Sequence, residues 1–553
     1  MSIQTPDWVK HAVFYQIFPD RFARQPGDAP ISGNVALEPW DAPPTLQGYK
    51  GGNLRGALSK LDYLQDLGIN ALYFTPIFQS ASNHRYHTHD YYQVDPLLGG
   101  NDALRDLLAA AHQRGMRVVL DGVFNHASRG FFYFNDILEN GPHSPWLDWF
   151  RVEQWPLSAY DGAKPANYES WVNNRALPEF NHDHPDVREY IMRIAEYWLH
   201  FGIDGWRLDV PFEVQTPGFW QEFRDRVKAI NPDAYIVGEV WTDARPWLDG
   251  TQFDAVMNYL FTGPTIAFAA GDRVIREYVE GPDYAPYPAL DATGYAEKIA
   301  ALLALYPWEI QLAQLNLLAS HDTARLLSIA GGDRASVELA TLLQMTFPGA
   351  PCIYYGDEVG LPGALDPDSR RSFPAEADWD HDLLQVHKDL IALRRQYPAL
   401  RTGDYRTLYT KGLVYGCERA LDGSRLAIFV NAGETAATVT LTMDRPTSEL
   451  VYGQAKLGAK PDAEEQTLHI ELPPRAVARS PCCPTPERGD PTGHSRHRSS
   501  SLGIWRRHKR LRWPRPARAS GSCGEPGSSL CGGRYARWRL AGVTSTLRCV
   551  ASL

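Results

Sequence analysis

Four short apolar runs in this chain each end on polar residues, and that repeated ending constrains the fold more than anything else in it. They read VVLDGVFNH at 118–126, GWRLDV at 205–210, YIVGEVW at 235–241 and NLLASHD at 316–322. Between them lie stretches with helical spacing. Leu54, Leu58, Leu61 and Leu64 recur every three or four residues, and residues 103–113 and 187–201 are patterned in the same way. Strands that alternate with helices imply a parallel sheet. Further strand-like runs at 12–18, 71–74, 254–257 and 352–355 bring the number of units to eight. Eight units fit an α/β chain folded as a (β/α)8 TIM barrel, whose active site lies where the strands end.

The polar endings carry candidate chemistry. Side chains alternate faces along a strand, so Arg207 and Asp209 point the same way. A fixed cation favours the ionised carboxyl, and an ionised carboxylate at a strand end can attack or stabilise charge. Glu239 ends an apolar run beside Val240 and Trp241, surroundings that raise a carboxyl pKa and suit it to donate a proton. Asp322 ends a third run. Each feature alone has a structural reading: a buried ion pair, a helix cap or a solvated strand end. In a barrel, however, strand ends converge, so these acids can meet although they are distant in sequence.

Residues 125–181 interrupt the rhythm with a long segment rich in aromatics, Asn and Pro, read as an inserted loop subdomain. The barrel is therefore assigned to 1–124 and 182–400. Residues 403–478 change to short alternating runs, such as RLAIFV at 425–430 and ATVTLT at 437–442, read as a C-terminal antiparallel β-sandwich. Residues 480–553 are read as a basic, disordered tail. From Pro481 on there are 14 Lys+Arg and 3 Asp+Glu, so the tail carries +11 and the rest −21 of the net −10. The tail also holds five of the seven cysteines and resembles an out-of-frame translation of GC-rich DNA.

The motifs DGVFNH, GWRLDV, GEVW and SHD resemble the four short motifs of the α-amylase family, glycoside hydrolase family 13. They stand in the family's order, with Asp209 and Glu239 30 residues apart and Glu239 and Asp322 83 apart. The resemblance covers roughly residues 8–474. It implies Asp209 as nucleophile, Glu239 as general acid/base and Asp322 as transition-state stabiliser, with Arg207, His126 and His321 holding the sugar and the carboxylates. SNHRYHTHDY at 82–91 resembles the sugar-contacting loop of cyclomaltodextrinases, neopullulanases and maltogenic amylases, which implies that Tyr86 stacks on the sugar. Trp241 and Glu213 are carried over as substrate contacts in the same way. The chain departs from that group at His87, where many relatives have an acid, at Glu179 and Phe180, and at Phe212.

The expected activity is that of a retaining α-glucan hydrolase on maltodextrins, cyclodextrins or related oligosaccharides. A 4-α-glucanotransferase with the same residues is one alternative, and a non-catalytic sugar-binding protein on the same fold is another. The negative body argues against nucleic acid as partner. No run approaches the ~20 apolar residues of a membrane span. The N-terminal residues have no secretory pattern and Cys352 and Cys417 are the body's only cysteines, so a cytoplasmic protein is expected. The chain begins at the first barrel strand, which points to a monomer. No cofactor is required. Calcium has weak support, because the loop 24–28 offers few oxygens against the six to eight that Ca²⁺ takes, and Asn53 and Asn125 are lone amides.

Overall fold

The computed structural model of the chain describes residues 3–25, 27, 35–281, 284–443, 448–461, 466–475 and 547–551. Its strands, in chain order, begin with β1 (Phe14–Ile17), β2 (Ala71–Phe74) and a hairpin of β3 (Phe78–Ser80) and β4 (Thr88–Val94). Then come β5 (Arg117–Gly122), β6 (Gly205–Leu208), β7 (Tyr235–Gly238), β8 (Ala255–Val256), β9 (Leu315–Leu317) and β10 (Ala350–Tyr354). Hydrogen-bonded neighbours run β8-β7-β6-β5-β2-β1-β10-β9, every pair parallel. A single bridge, Met257 to Leu315, joins the two ends and closes the barrel. The Asn258 amide donates to the Leu315 carbonyl there at 2.8 Å. Three side-chain amides lace the same seam: Gln314 Oε1 accepts from the Val256 amide (3.1 Å) and Asn258 Nδ2 donates to Asn316 Oδ1 (2.8 Å).

The barrel strands are short and buried along nearly their whole length, as parallel strands covered on both faces must be. Gly205 opens β6 because a Cβ there would lie 2.3 Å from the Tyr235 carbonyl oxygen of the next strand. Polar residues inside the barrel are few, and they mark the site: Gln16 on β1, Asp121 on β5 and Arg207 on β6 are all buried.

The helices follow the apolar spacing with small differences. The pattern at 54–67 is two helices, Leu54–Ser59 and Leu61–Leu67, which meet at Lys60. Residues 125–181 hold more than a loop: the helix Phe132–Asn140 and bridges Phe150–Phe180, Val152–Tyr168 and Ser170–Pro178 tie them together. Aromatic packing is their core, with Phe134 edge-on to Phe150 at 4.9 Å and Tyr133 stacked on Trp146 at 3.8 Å.

Beyond the barrel come β11 (Asp404–Lys411), β12 (Val414–Leu421), β13 (Ser424–Asn431), β14 (Ala437–Met443), β15 (Ser448–Tyr452), β16 (Lys456–Pro461), β17 (Gln466–Leu472) and β18 (Leu547–Ala551). One sheet runs β11-β12-β13-β18-β15 and the other β14-β17-β16. Strand β13 is buried on both faces. Leu426, Ile428 and Val430 join the main core, while Ala427 and Phe429 pack with Val439, Leu468 and Ile470 between the sheets. Arg419, fully buried, fastens this unit to the barrel by donating to the Thr346, Leu400 and Gly403 carbonyls at 2.7–2.9 Å.

The C-terminal sheets are antiparallel as expected, with one addition: β18 pairs parallel to both β13 and β15. The expected disorder of 480–553 fails at its end. Residues 547–551 form β18, which pairs with β13 on one side and β15 on the other. By compactness the chain divides into Met1–Arg479 with Ser545–Leu553 and, separately, Ser480–Thr544. The second unit lies outside the described residues.

Candidate active site

The site is built around Arg207, whose side chain is wholly buried. It rises from β6 on the same face as Asp209, as strand alternation requires, and its Nη1 lies 2.9 Å from Asp209 Oδ1. The same nitrogen donates to both oxygens of Asp121 on β5, at 2.9 and 3.1 Å. Nη2 lies 2.9 Å from Glu239 Oε2, an ion pair whose angles fall short of a good hydrogen bond. One guanidinium thus holds three carboxyls from three neighbouring strands. The Val210 amide also donates to Glu239 Oε2 (3.2 Å), and Trp241 Nε1 donates to Oε1 (3.1 Å). Trp241 itself is stacked on Tyr259, 3.7 Å apart and 9° from parallel.

Electrostatics here are set mainly by burial. Burial pushes the Asp209 carboxyl well above the ordinary range; Arg207 pulls it down, while Glu239, Asp121 and Asp322 push it up. Arg207 thus acts in the direction the sequence suggests, favouring the ionised acid, but burial outweighs it. Asp121 is pushed up to about 6, again by burial against the pull of Arg207. Asp322 is raised by burial against Arg370 and Arg207. The imidazoles go the other way. Burial lowers His126 to about 3 and depresses His321 strongly, so both are neutral hydrogen-bonding groups near pH 7.

A relay of hydrogen bonds links the far wall. Gln16 Nε2 donates to His321 Nδ1 at 2.8 Å, so the neutral ring carries its proton on Nε2. That nitrogen faces Tyr86 Oη and, at 3.1 Å, Asp322 Oδ2. Tyr86 and Tyr73 hydroxyls both donate to Asp121 Oδ2, at 3.0 and 2.8 Å. The Tyr86 ring lies parallel to His321, 5.4 Å apart and 5° from coplanar. His126 stacks on Trp171 of the inserted segment at 5.3 Å, and its Nε2 has no hydrogen-bond partner of good geometry among the described residues.

These groups line one cleft of about 610 Å³. Asp209, Glu239, Asp322, Tyr86, His126 and Trp241 all reach it. Arg207 and His321 sit behind its wall, in contact with the acids. Glu213 does not reach it. That side chain is exposed, and Phe212 of the same short 3-10 turn lines the cleft instead. Its carboxylate acts instead on Glu179, whose carboxyl it helps to raise after burial. The turn follows Val210, whose backbone lies in the left-handed region.

Several residues of the site were not singled out from sequence. Asp121 lies within one of the four runs, and an acid on a barrel strand beside Arg207 was the available signal. Arg370 and Asp366 come from a loop with no strand or motif to flag them. Arg370 Nε donates to the His321 carbonyl at 2.9 Å, Nη2 lies 3.5 Å from Asp322, and Nη1 pairs with Asp366 at 3.2 Å. His84 and His87 also line the cleft, their rings 5.1 Å apart and both held below the ordinary imidazole range, chiefly by burial.

Among the described residues, no group of three or more His, Cys, Asp or Glu is arranged to hold a metal. Asn53 Oδ1 caps a helix by accepting from the Gly56 amide. Asn125 bonds to Glu179. Pro26 and Asp28 of the first loop lie outside the described residues. Elsewhere in that region the carbonyls already face fixed cations: Arg24 Nε donates to Lys50 O (2.6 Å), and Lys50 Nζ to Pro39 O and Ala42 O (2.7 and 2.6 Å).

A cleft with three carboxyls at the C-terminal ends of parallel barrel strands, walled by aromatic rings, defines the class: a (β/α)8-barrel enzyme built for carbohydrate. The α-amylase catalytic-domain model matches residues 16–382, and the chain belongs to the α-amylase family of glycoside hydrolases. It is 42% identical over 479 residues to a cyclomaltodextrinase of Geobacillus thermopakistaniensis, covering 85% of this chain and 77% of the relative. An intracellular maltogenic amylase of Bacillus subtilis is 39% identical over 446 residues, 80% of this chain and 71% of the relative. Among solved structures, the debranching enzyme of Nostoc punctiforme superposes with a TM-score of 0.80 at 66% identity, covering 86% of this chain and 99% of that one.

Proposed function

We infer that the chain is a retaining α-glucan hydrolase that cleaves α-1,4 bonds of maltodextrins, cyclodextrins or related oligosaccharides, and α-1,6 branch points beside them. One observation carries the reading: Asp209 and Glu239 are held at the two ends of a single guanidinium. Carboxyls gathered that tightly favour the short spacing of a double displacement over the wider gap that admits a water between them. The debranching relative brings branch points into the set of candidate bonds.

In this mechanism Asp209 attacks the anomeric carbon as Glu239 gives its proton to the leaving oxygen. Arg207, 2.9 Å from Asp209 Oδ1, is the cation that favours the ionised nucleophile against burial. Glu239 next takes a proton from water, which releases the sugar from Asp209 with its original configuration. Asp322 braces the positive charge that develops on the ring. The neutral His126 and His321 suit sugar hydroxyls, because they exchange hydrogen bonds without adding charge. A cytoplasmic location fits the intracellular Bacillus relative and the free, buried Cys352 and Cys417.

The test is a product profile on maltotriose, β-cyclodextrin, pullulan and starch, with the anomer followed by NMR at early times. Hydrolysis with the α-anomer appearing first is expected. Early β-anomer would overturn the mechanism, and products longer than maltotriose without net hydrolysis would make the chain a transferase.

A further inference from the structure

With Val172, Tyr160 is the most exposed large apolar side chain among the described residues, at 68%. It is not on a loose loop. The Arg129 guanidinium sits 4.5 Å from the centre of its ring, a cation–π contact that supports it from one side. Arg129 is itself fixed: its Nη1 donates to the Ala159 carbonyl at 2.6 Å, next to the tyrosine. Arg175 also donates to the Ser158 and Asp161 carbonyls, which flank the tyrosine in sequence. Two arginines therefore clamp the four residues that carry one aromatic ring, and the ring buries little in return.

The clamp is continuous with the cleft. The Arg129 amide donates to the Ala176 carbonyl at 3.0 Å, one residue from Leu177 in the cleft wall. Arg129 also acts on the cleft-lining His87, where it adds to burial in holding the imidazole down. An immobilised, solvent-facing ring beside a sugar-shaped cleft is a surface on which the C–H face of a further glucose unit can pack at small entropic cost.

We propose that Tyr160, held by Arg129, is an outer binding platform for α-glucan chains too long for the cleft. This rests on the hydrolase reading above and adds a chain-length preference to it.

The experiment compares Tyr160→Ala and Tyr160→Phe with the wild type on maltotriose, which the cleft can hold, and on maltoheptaose. For Tyr160→Ala, KM for maltoheptaose should rise about fivefold, equivalent to about 1 kcal/mol, with kcat and all maltotriose constants unchanged. Tyr160→Phe keeps the ring and should behave as the wild type. Unchanged maltoheptaose constants in Tyr160→Ala overturn the platform. Equal changes on both substrates also overturn it, because they mean that the loop merely supports the cleft. If the wild type hydrolyses neither sugar, the hydrolase reading falls. Calorimetric titration with maltoheptaose then judges the platform alone, and equal affinity of Tyr160→Ala and wild type would reject it.

Discussion

The Val210 amide reaches Glu239 Oε2 at 3.2 Å from a backbone at φ 36°, ψ 49°. A β-branched residue in the left-handed region is strained by roughly 1–3 kcal/mol and persists only where the surroundings impose it. Here the strain follows directly after Asp209. The residue that terminates β6 thus aims a donor at the acid of β7, so the two carboxyls are registered through the backbone as well as through Arg207.

If Asp209 and Glu239 carry the two halves of a double displacement, their amides should fail differently. Glu239→Gln should lower kcat by about 10²–10⁴-fold, the range for loss of general acid–base help. Asp209→Asn should remove the covalent step and leave almost no turnover. Circular dichroism should match the wild type in both. Turnover at the wild-type rate in either variant would contradict the assignment.

Arg207 is the counter-charge of three buried carboxyls, so removing it should damage the fold beyond the active site. Arg207→Met is expected to cost about 3–5 kcal/mol in a urea titration, the penalty for leaving buried charge unpaired. A loss under 1 kcal/mol would mean that the acids protonate or find water without cost.

His387 offers a clean pH test away from the cleft. Its ring is fully buried and bonded to the Leu383 carbonyl, and burial lowers it to about 4. A lowered imidazole contributes stability that is fully present above the unfolded pKa near 6.5 and lost as pH falls through 4. The stability advantage of wild type over His387→Gln should therefore shrink by about 3 kcal/mol between pH 7 and pH 4. A gap that stays constant with pH would refute the shift.

Strand β18 makes truncation informative. A chain ended at Arg479 loses the strand that lies between β13 and β15, which opens two edges in the sheet that packs against the barrel. The barrel should keep its activity, while calorimetry should show an earlier, separate transition for the C-terminal sheets. A single transition at the wild-type temperature would show β18 to be dispensable.

Much of this was readable in the residues. The barrel was legible because each unit repeats one simple rule, an apolar run that ends on polar groups, and because alternation alone put Arg207 and Asp209 on one face. Glu213 was taken from the motif alone, and a motif does not say which side chain of a short turn faces the cleft: Glu213 is exposed while Phe212 lines it. Arg370 and Asp366 were invisible, since only the folded chain brings their loop beside Asp322. The strand at 547–551 was hidden by its neighbours, because an arginine- and glycine-rich segment masks five residues whose partners stand more than ninety positions upstream.

The closure of the barrel bears on how the molecule breathes. Every other pair of barrel strands shares at least two bridged residues, but the ring is completed by Met257 and Leu315 alone, with amide side chains as stitching. Opening events should start there, and hydrogen exchange should find the Val256 and Asn258 amides replaced before those of β5 and β6. Met257 Sδ also lies 3.5 Å from Arg207 Nε. The guanidinium that orders the acids thus rests on the ring's weakest joint, and slow gaping of that joint would be felt as a loosening of all three carboxyls at once.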